Sequence, residues 1–168
     1  MDRSSGSPTR IAVIGIGNDH RRDDGVGWAV VAELARRRLP RGVALFRTDG
    51  EPARLISAWE GADRAIVVDA ARSRPSRPGH VRRFRIHDTL SRSPWSETSS
   101  HGFTLGDAVE LARVLGRLPG ELLVYAVEAA DCGPGTTLSP SVAAAVPPLV
   151  AQIEQVLVHR GGTVDAEG

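Results

Sequence analysis

The amino-acid sequence predicts an α/β fold, a three-layer α/β/α sandwich around a mostly parallel, twisted sheet of roughly five strands. Apolar runs typical of strands alternate along the chain with segments whose apolar residues recur at helical spacing. The runs within 10–17 and 64–70 are continuous and rich in β-branched residues, as in parallel strands that are buried on both faces. Helices that connect parallel strands cover both faces of the sheet, which gives three layers.

Nine segments have the pattern of a regular element. Five have the composition of strands: 10–17, 43–48, 64–70, 80–87 and 121–129. Four have apolar residues at helical spacing: 26–39, 51–62, a segment from about 104, and 140–157. The strand at 80–87 alternates in polarity, which indicates an edge strand exposed on one side. Ser139 and Pro140 suit the cap and first residue of the last helix, and Pro147 and Pro148 predict a kink or a restart within it.

The composition is that of an ordinary globular protein. The chain has 168 residues, 41% hydrophobic and 24% charged, which predicts a single domain over 1–168 with an ordered core at about 10–158. No apolar stretch approaches the roughly 20 residues that cross a bilayer. The N-terminal "MDRSSGSPTR" lacks the apolar middle of a secretory signal, so we expect a cytoplasmic protein. The net charge of +1 predicts no affinity for nucleic acid or membrane, although the arginine-rich stretch 72–85 suits either a solvated loop or a patch for an acidic partner.

Several common chemistries are excluded by the residues present. The segment "GIG" at 15–17 begins like a dinucleotide fingerprint, but the third glycine is replaced by His20. A Walker-type phosphate loop needs a lysine, and all 21 basic residues are arginines. No serine lies in a G-x-S-x-G elbow. Cys132 is the single cysteine, which forms no internal disulfide and is more typical of an incidental small residue than of a nucleophile.

A pair of neighbouring carboxylates, Asp23 and Asp24, lies in the stretch "GIGNDHRRDDGVG" directly after the first strand. Asp69 ends another buried strand. Ligand sites in parallel sheets lie beyond the carboxyl ends of the strands, so both segments are expected at the same edge. A simpler alternative is that the paired aspartates only open the helix at 26–39, whose dipole favours negative charge at its start.

A metal site is the chemistry that these carboxylates favour. His101 precedes the helix that begins near 104, a position from which its imidazole can reach the same edge. Two carboxylates and one imidazole form a mixed oxygen and nitrogen ligand set suited to divalent zinc or nickel. The candidate metal ligands are therefore Asp24, Asp69 and His101.

Three segments in order resemble the successive motifs of the hydrogenase maturation proteases: "GIGNDHRRDDGVG", "AIVVDA" and "SSHGFTLGDAVELA", followed by a strand, a turn and "LSPSV". These are nickel-dependent endopeptidases that trim the large subunit of nickel–iron hydrogenases. The resemblance extends from Arg10 to about Leu157. It implies a metal-dependent endopeptidase that removes a C-terminal peptide from the nickel-loaded precursor of a hydrogenase large subunit.

The resemblance also implies roles for individual residues. The metal-binding residues of the family match Asp24, Asp69 and His101, which would dock the nickel already installed in the precursor and form the catalytic centre. Zinc or another divalent ion could substitute for nickel. The simplest hydrolytic step is attack by water on a metal-polarised carbonyl, with one aspartate as the base.

The other residues of these motifs are expected to shape the turn or to line the substrate groove. Asp23 suits the acceptance of backbone hydrogen bonds that fix the turn, and Asn18 suits a bond within it. The glycines allow sharp bends and close approach of a substrate chain. The full set of turn and groove candidates is Gly17, Asn18, Asp23, Gly25, Asp49 and Gly50.

Two other functions stay open at this level. One is a non-cleaving, nickel-dependent binding or chaperone module for a metalloenzyme precursor, and the other is a metal-dependent hydrolase of a small molecule. The chain also departs from the family in its first loop, where His20, Arg21 and Arg22 are basic, and in the loop "EAADCGPGTTLSP" after the fifth strand. Both departures indicate a different precursor as partner.

Overall fold

A computed structural model of the chain describes residues 7–86 and 105–159. The elements of these residues are β1 (Ile11–Ile16), α1 (Val26–Ala35), β2 (Val43–Thr48), α2 (Pro52–Trp59), β3 (Arg64–Ala71), β4 (Val81–Ile86), α3 (Leu105–Val114), β5 (Glu121–Glu128) and α4 (Pro140–Val158). A 3₁₀ turn, Arg22–Gly25, precedes α1. The helix α1 ends at Ala35 rather than at the predicted Leu39. The N–H groups of Arg36 and Arg37 donate to carbonyls only three residues back, so the last turn tightens and closes there.

The five strands form one sheet in the order β2-β1-β3-β5-β4. The strands β1, β2, β3 and β5 are parallel, and β4 pairs antiparallel with β5 at the edge. The predicted α/β fold with a mostly parallel, five-stranded sheet is therefore confirmed, as is the edge position of β4.

Helices cover both faces of this sheet. One apolar cluster joins α1 and α4 to strand residues such as Val68 and Tyr125. The other joins α2 and α3 to strand residues such as Val67 and Val124. Because successive side chains of a strand point to opposite faces, Val67 and Val68 contribute to different clusters. The three predicted layers result from this alternation.

The last helix, α4, is one continuous element, so the predicted restart at Pro147 and Pro148 is wrong. Each proline removes one helical N–H donor, which leaves the carbonyls of Ala143 and Ala144 without that partner. Both prolines and both alanines are exposed. Water can hydrate the two carbonyls there, and the helix continues.

The length and composition of α4 would suffice to cross a membrane, contrary to the sequence-based expectation. In the fold, however, one face of α4 packs into the core against α1 and the sheet. The buried residues of this face are Val142, Ala145, Leu149, Val150, Ile153 and Leu157. The other face is exposed, so α4 is an amphipathic helix that covers one side of the sheet.

The strand order predicts a crevice between β1 and β3. It lies at the end of the sheet where the parallel strands terminate, which we call the carboxyl edge, and the opposite end is the amino edge. From β1 the chain passes through α1 to β2 on one side, whereas from β3 it leads towards β4 on the other side. Loops that leave adjacent parallel strands in opposite directions open a space between them, where ligands of such sheets bind.

Candidate functional site

The two segments that carry the predicted carboxylates meet at this crevice. Gly15 of β1 is paired with Val68 of β3, and Asp69 follows directly. The 3₁₀ turn that contains Asp24 contacts β3. Asp24 is 1% exposed, and Asp69 is half-buried. The prediction that both segments reach the same edge of the sheet is confirmed.

The third candidate ligand, His101, lies outside the described residues. Within 7–86 and 105–159, no three histidine, cysteine, aspartate or glutamate side chains lie close enough together to hold a metal ion. The ligand set of Asp24, Asp69 and His101 therefore stays a prediction. Its two carboxylates bring the oxygen donors that a divalent cation accepts.

Asp23 is fully buried and accepts four hydrogen bonds from distant parts of the chain. Its Oδ2 accepts from the N–H groups of Ala130 and Asp131 and from the hydroxyl of Ser139, each at 2.8 Å. Its Oδ1 accepts from the N–H of Ser139 at 2.7 Å. Burial raises the pKa of this carboxyl, but the bonds from Asp131, Ser139 and Ala130 outweigh it and hold the pKa of Asp23 below its usual range.

These bonds fix the loop after β5 and the start of α4 against the first loop. We expected Asp23 to fix its own turn. Instead, its carboxylate oxygens accept from groups more than 100 residues away along the chain. Ser139 is the N-cap residue of α4, as predicted, but its hydroxyl binds Asp23 and does not cap the helix. Asp23 and Asp24 lie in the 3₁₀ turn that leads into α1, as the simpler alternative expects, but neither caps the helix, whose N-cap residue is Gly25. The four bonds of Asp23 show that this residue does more than open the helix.

Backbone hydrogen bonds join the same two loops a second time. Gly135 accepts from the N–H of Arg22 at 2.9 Å and donates its own N–H to the carbonyl of His20 at 3.0 Å. The Arg22 guanidinium donates to the carbonyl of Pro134 at 3.1 Å and lies 3.5 Å from Asp131. The basic residues of the first loop therefore bind the loop after β5 as well as forming the outer rim.

Two glycines permit the close packing of the first loop and of α1. A Cβ at Gly17, whose φ is 156°, would collide with the carbonyl oxygen of Asp24. A Cβ at Gly27 would lie 2.5 Å from the carbonyl oxygen of Val68. These glycines let the protein's own backbone approach closely, and their contact with a substrate chain stays a prediction. Gly25 has an ordinary φ of −79°.

Asn18 forms the predicted bond within the turn. Its side-chain oxygen accepts from the N–H of His20 at 2.9 Å, and its carbonyl accepts from the N–H of Arg21 at 3.2 Å. These bonds close the loop directly before the 3₁₀ turn and so help to set the position of Asp24.

Asp49 and Gly50, the predicted groove residues, follow β2 at the same edge of the sheet. The Asp49 carboxylate accepts from the N–H of Glu51 at 3.2 Å and pairs with the Arg54 guanidinium at 2.9 Å. The bond from Glu51 lowers the pKa of Asp49 against slight desolvation, and the charge of Arg54 adds to the effect. Gly50 has a φ of 88°, which favours glycine. Both residues thus shape the start of α2.

An open groove of about 380 Å³ runs beside the end of β2. Its lining residues are Phe46, Arg47, Thr48, Ala53, Arg54, Ser57 and Ala58. A larger cavity of about 740 Å³ lies at the opposite, amino edge of the sheet, near Glu121 and Arg85, away from the carboxylates. Of these two spaces, the groove beside β2 is the one that adjoins the predicted groove residues.

The sequence matches a known protein family. A family model described as hydrogenase maturation protease matches residues 28–156. The chain belongs to the hydrogenase maturation protease family. It is therefore a hydrolase of the endopeptidase class, and family membership supports this function over a non-cleaving module or a small-molecule hydrolase.

Relatives of this maturation protease cover nearly its full length. It is 30% identical to the hydrogenase expression/formation protein HupD of Bradyrhizobium diazoefficiens, over 96% of this chain and 84% of that protein. It is 27% identical to the hydrogenase 2 maturation protease of Escherichia coli, over 90% of this chain and 93% of that protein. The structure of the hydrogenase maturating endopeptidase HybD from E. coli is similar, with a TM-score of 0.72 and 26% identity over 89% of this chain and 92% of that chain.

Two charged residues at the carboxyl edge of the protease were missed by sequence reasoning. Glu128 is the last residue of β5, is 3% exposed, and accepts from the N–H of Arg77 at 2.9 Å, whereas Asp69 lies two residues before the end of β3. The signal was present, because an apolar run ends in a carboxylate in both strands. Arg72 follows β3, and Cys132 raises the pKa of Arg72 against desolvation, with smaller contributions from the charges of Asp131 and Asp24.

Proposed function

We propose that this maturation protease removes a C-terminal peptide from the nickel-loaded precursor of a hydrogenase large subunit, in the cytoplasm. The observation that carries the proposal is the meeting of the Asp24 and Asp69 segments at the crevice between β1 and β3. In a chain of this family, that crevice is where a substrate would bring its metal. The hydrogenase relatives named above support the choice of precursor.

The nickel belongs to the substrate in this proposal. Asp24, Asp69 and His101 would bind it while the cysteines of the precursor continue to hold it. Carboxylate and imidazole ligands are harder than thiolates, so they add to the coordination of nickel with little tendency to remove it from a thiolate site. Selection of the loaded precursor over the empty one would follow from these added bonds.

Hydrolysis would take place beside the docked metal. The scissile carbonyl would be polarised there, water would attack its carbon, and an aspartate of the crevice would take up the proton of the water. The same aspartate would then pass this proton to the nitrogen as the C–N bond breaks and the C-terminal peptide leaves as the amine. Asp23 is not the candidate for this base, because both of its oxygens already accept hydrogen bonds and its pKa is lowered. Asp24 and Asp69 are the candidates.

The C-terminal segment of the precursor would reach this centre along the end of β2. Asp49 and Gly50 border the carboxyl edge there, and the groove beside β2 is open to solvent. An extended chain that follows this groove passes from the precursor towards the crevice. Of the two residues, Asp49 is exposed and would contact the chain, whereas Gly50 is buried and shapes the turn.

The proposal is tested with purified protease and two forms of the large-subunit precursor, one loaded with nickel and one nickel-free. The expected result is loss of a C-terminal peptide, measured as a decrease in precursor mass, only from the loaded form. Equal loss from both forms would contradict the role of nickel. Stable association without any change in mass would contradict cleavage and favour a binding module.

A further inference from the structure

The strand β2 is the outermost strand on one side of the sheet and, among the residues that the structure describes, pairs only with β1. The carbonyl of Thr48 accepts from the N–H of Gly17 at 2.9 Å, so the main-chain groups of Thr48 face β1. Because the direction of these groups alternates along a strand, the N–H and carbonyl groups of Leu45 and Arg47 point away from β1. We call these outward groups the open side of β2.

The two outermost strands of the sheet differ in how strongly they oppose the addition of another strand. The strand β4 carries three arginines, Arg82, Arg83 and Arg85, and such charges hinder further pairing. The strand β2 carries only Arg47, next to Phe46, which is 37% exposed. Phe46 also lines the groove whose other wall is α2. Outward main-chain groups beside an apolar groove are typical of strands that bind an extended peptide as an added strand.

An added strand would find side chains to contact on both faces of the sheet. Phe46 pairs with Ile14, whose side chain lies in the cluster that α2 covers, so Phe46 is on that face. Arg47 is on the opposite face, where its guanidinium lies 5.8 Å from the centre of the Trp28 ring of α1. Alternate side chains of the added strand would therefore lie against Phe46 on one face and against Arg47 and Trp28 on the other.

The charges at the start of β2 favour one direction for such a strand. Four exposed arginines lie between α1 and β2: Arg36, Arg37, Arg38 and Arg41. Glu33 pairs with the first two, at 3.6 Å and 3.2 Å, so the segment as a whole stays positive. A peptide that runs antiparallel to β2 starts at the carboxyl edge and ends beside these arginines. Its C-terminal carboxylate would be attracted there.

We propose that the C-terminal peptide cleaved from the precursor pairs as an antiparallel strand with the open side of β2. This inference rests on the proposed function, which places the scissile bond at the crevice between β1 and β3. The released peptide leads away from that bond, whereas the body of the precursor stays with its nickel. From the crevice to a strand beyond β2 is about 12 Å, which about four extended residues span. Main-chain hydrogen bonds would then hold the peptide with little demand on its sequence.

Variants of Arg47 and Arg41 test the pairing through cleavage of the nickel-loaded precursor. Arg47→Pro removes an outward N–H, which an outermost strand tolerates, and Arg47→Ala removes the side chain alone. The KM of Arg47→Pro should be about fivefold higher than that of Arg47→Ala, with the same kcat, because one main-chain hydrogen bond to the peptide is lost. Arg41→Gln should raise the KM about threefold, and Arg41→Lys should restore it. Urea denaturation checks the folding of each variant.

Amide hydrogen exchange tests the same pairing without nickel and without cleavage. The probe is a synthetic peptide with the sequence of the C-terminal segment of the precursor, added at millimolar concentration to the labelled wild-type protease and followed by NMR. In the free protease, the N–H groups of Leu45 and Arg47 should exchange faster than those of Ala44 and Phe46, which face β1. The peptide should slow the exchange of Leu45 and Arg47 at least about threefold.

Unchanged exchange at Leu45 and Arg47 in the presence of the peptide would overturn the inference. Equal KM values for folded Arg47→Pro and Arg47→Ala would overturn it as well. If Arg47→Pro does not fold, the exchange experiment on the wild type decides. If the wild type fails to process the loaded precursor, the proposed function fails, whereas the exchange rates still show whether the open side of β2 binds this segment.

Discussion

Two carboxylates at opposite edges of the sheet, the half-buried Glu121 and the buried Asp23, are stabilised in different ways. At the amino edge, Glu121 pairs with the Arg64 guanidinium at 2.7 Å and with Arg85 at 3.1 Å, so its charge is cancelled by cations within one cluster. At the carboxyl edge, Asp23 is bound by three backbone N–H groups and one hydroxyl, all of them neutral. Its charge is stabilised there but not cancelled. Asp23 therefore keeps its charge through neutral donors, whereas Glu121 depends on paired cations.

The largest expected effect on stability comes from Asp23. Asp23→Asn places an N–H₂ group opposite donors that have no other acceptor at that position, so we expect the free energy of unfolding to decrease by about 3 kcal/mol. Urea denaturation measures this change. The control is Asp19→Asn, an exposed aspartate of the same loop, which should leave stability within about 0.5 kcal/mol of the wild type. Equal stability of the two variants would contradict the role given to Asp23.

A smaller effect is expected at the amino edge. Glu121→Gln removes a charge that pairs with both Arg64 and Arg85, at positions that are only partly exposed. The free energy of unfolding should decrease by about 1 kcal/mol, since the two arginines can be rehydrated. Cleavage of the loaded precursor should stay unchanged in the same variant. A strong loss of cleavage would show that the two edges are not functionally separate.

The contribution of Asp23 should also disappear in acid. Its pKa is lowered in the folded protein, so its stabilisation is complete above the unfolded value of about 4 and is lost as the pH falls through the folded value. Below pH 4, the wild type should therefore lose stability faster than Asp23→Asn, and the gap between them should narrow by about 1 kcal/mol per pH unit. Urea unfolding of both proteins from pH 6 to pH 2.5 measures this gap, and a constant gap would contradict the assignment.

The smallest effect is expected at the end of β2. Asp49 is exposed, and its ion pair with Arg54 is at the surface. Asp49→Asn should therefore lower stability by no more than about 0.5 kcal/mol. If Asp49 borders the substrate groove, the KM for the precursor should change in this variant although the free energy of unfolding is nearly that of the wild type. A KM equal to that of the wild type would contradict the placement of Asp49 at the substrate groove.

The sequence was sufficient to predict the strands of the sheet and the helices that pack on both of its faces. Continuous apolar runs predicted β1 and β3, and the rule for parallel sheets placed Asp69 and the first loop at one edge. The sequence could not predict the role of Asp23. The groups that donate hydrogen bonds to its carboxylate lie in a loop that is distant along the chain and has no recognisable sequence motif. The predicted restart at Pro147 and Pro148 was wrong, because the exposure of that turn of α4 depends on tertiary packing, whereas a kink there stays a prediction.

Two charged residues at the carboxyl edge also differ in whether the sequence could have predicted them. Glu128 had the signal that identified Asp69, an apolar strand with a carboxylate at its end, and could have been predicted. Arg72 could not, because its position depends on the backbone bond that joins the end of β3 to Ala129, in the loop after β5. The arginine-rich stretch 72–85 suggested either solvent exposure or a partner, and nothing in its composition singled out its first residue.

The most direct test of the account is the rate at which Asp24→Asn cleaves the nickel-loaded precursor, with Asp19→Asn as the control and circular dichroism as the check of folding. We predict a loss of at least about 100-fold for Asp24→Asn, because a proposed ligand of the substrate's metal is removed, and a rate near that of the wild type for Asp19→Asn. A folded Asp24→Asn protein that cleaves within about threefold of the wild type would contradict the placement of the catalytic centre at the carboxyl edge.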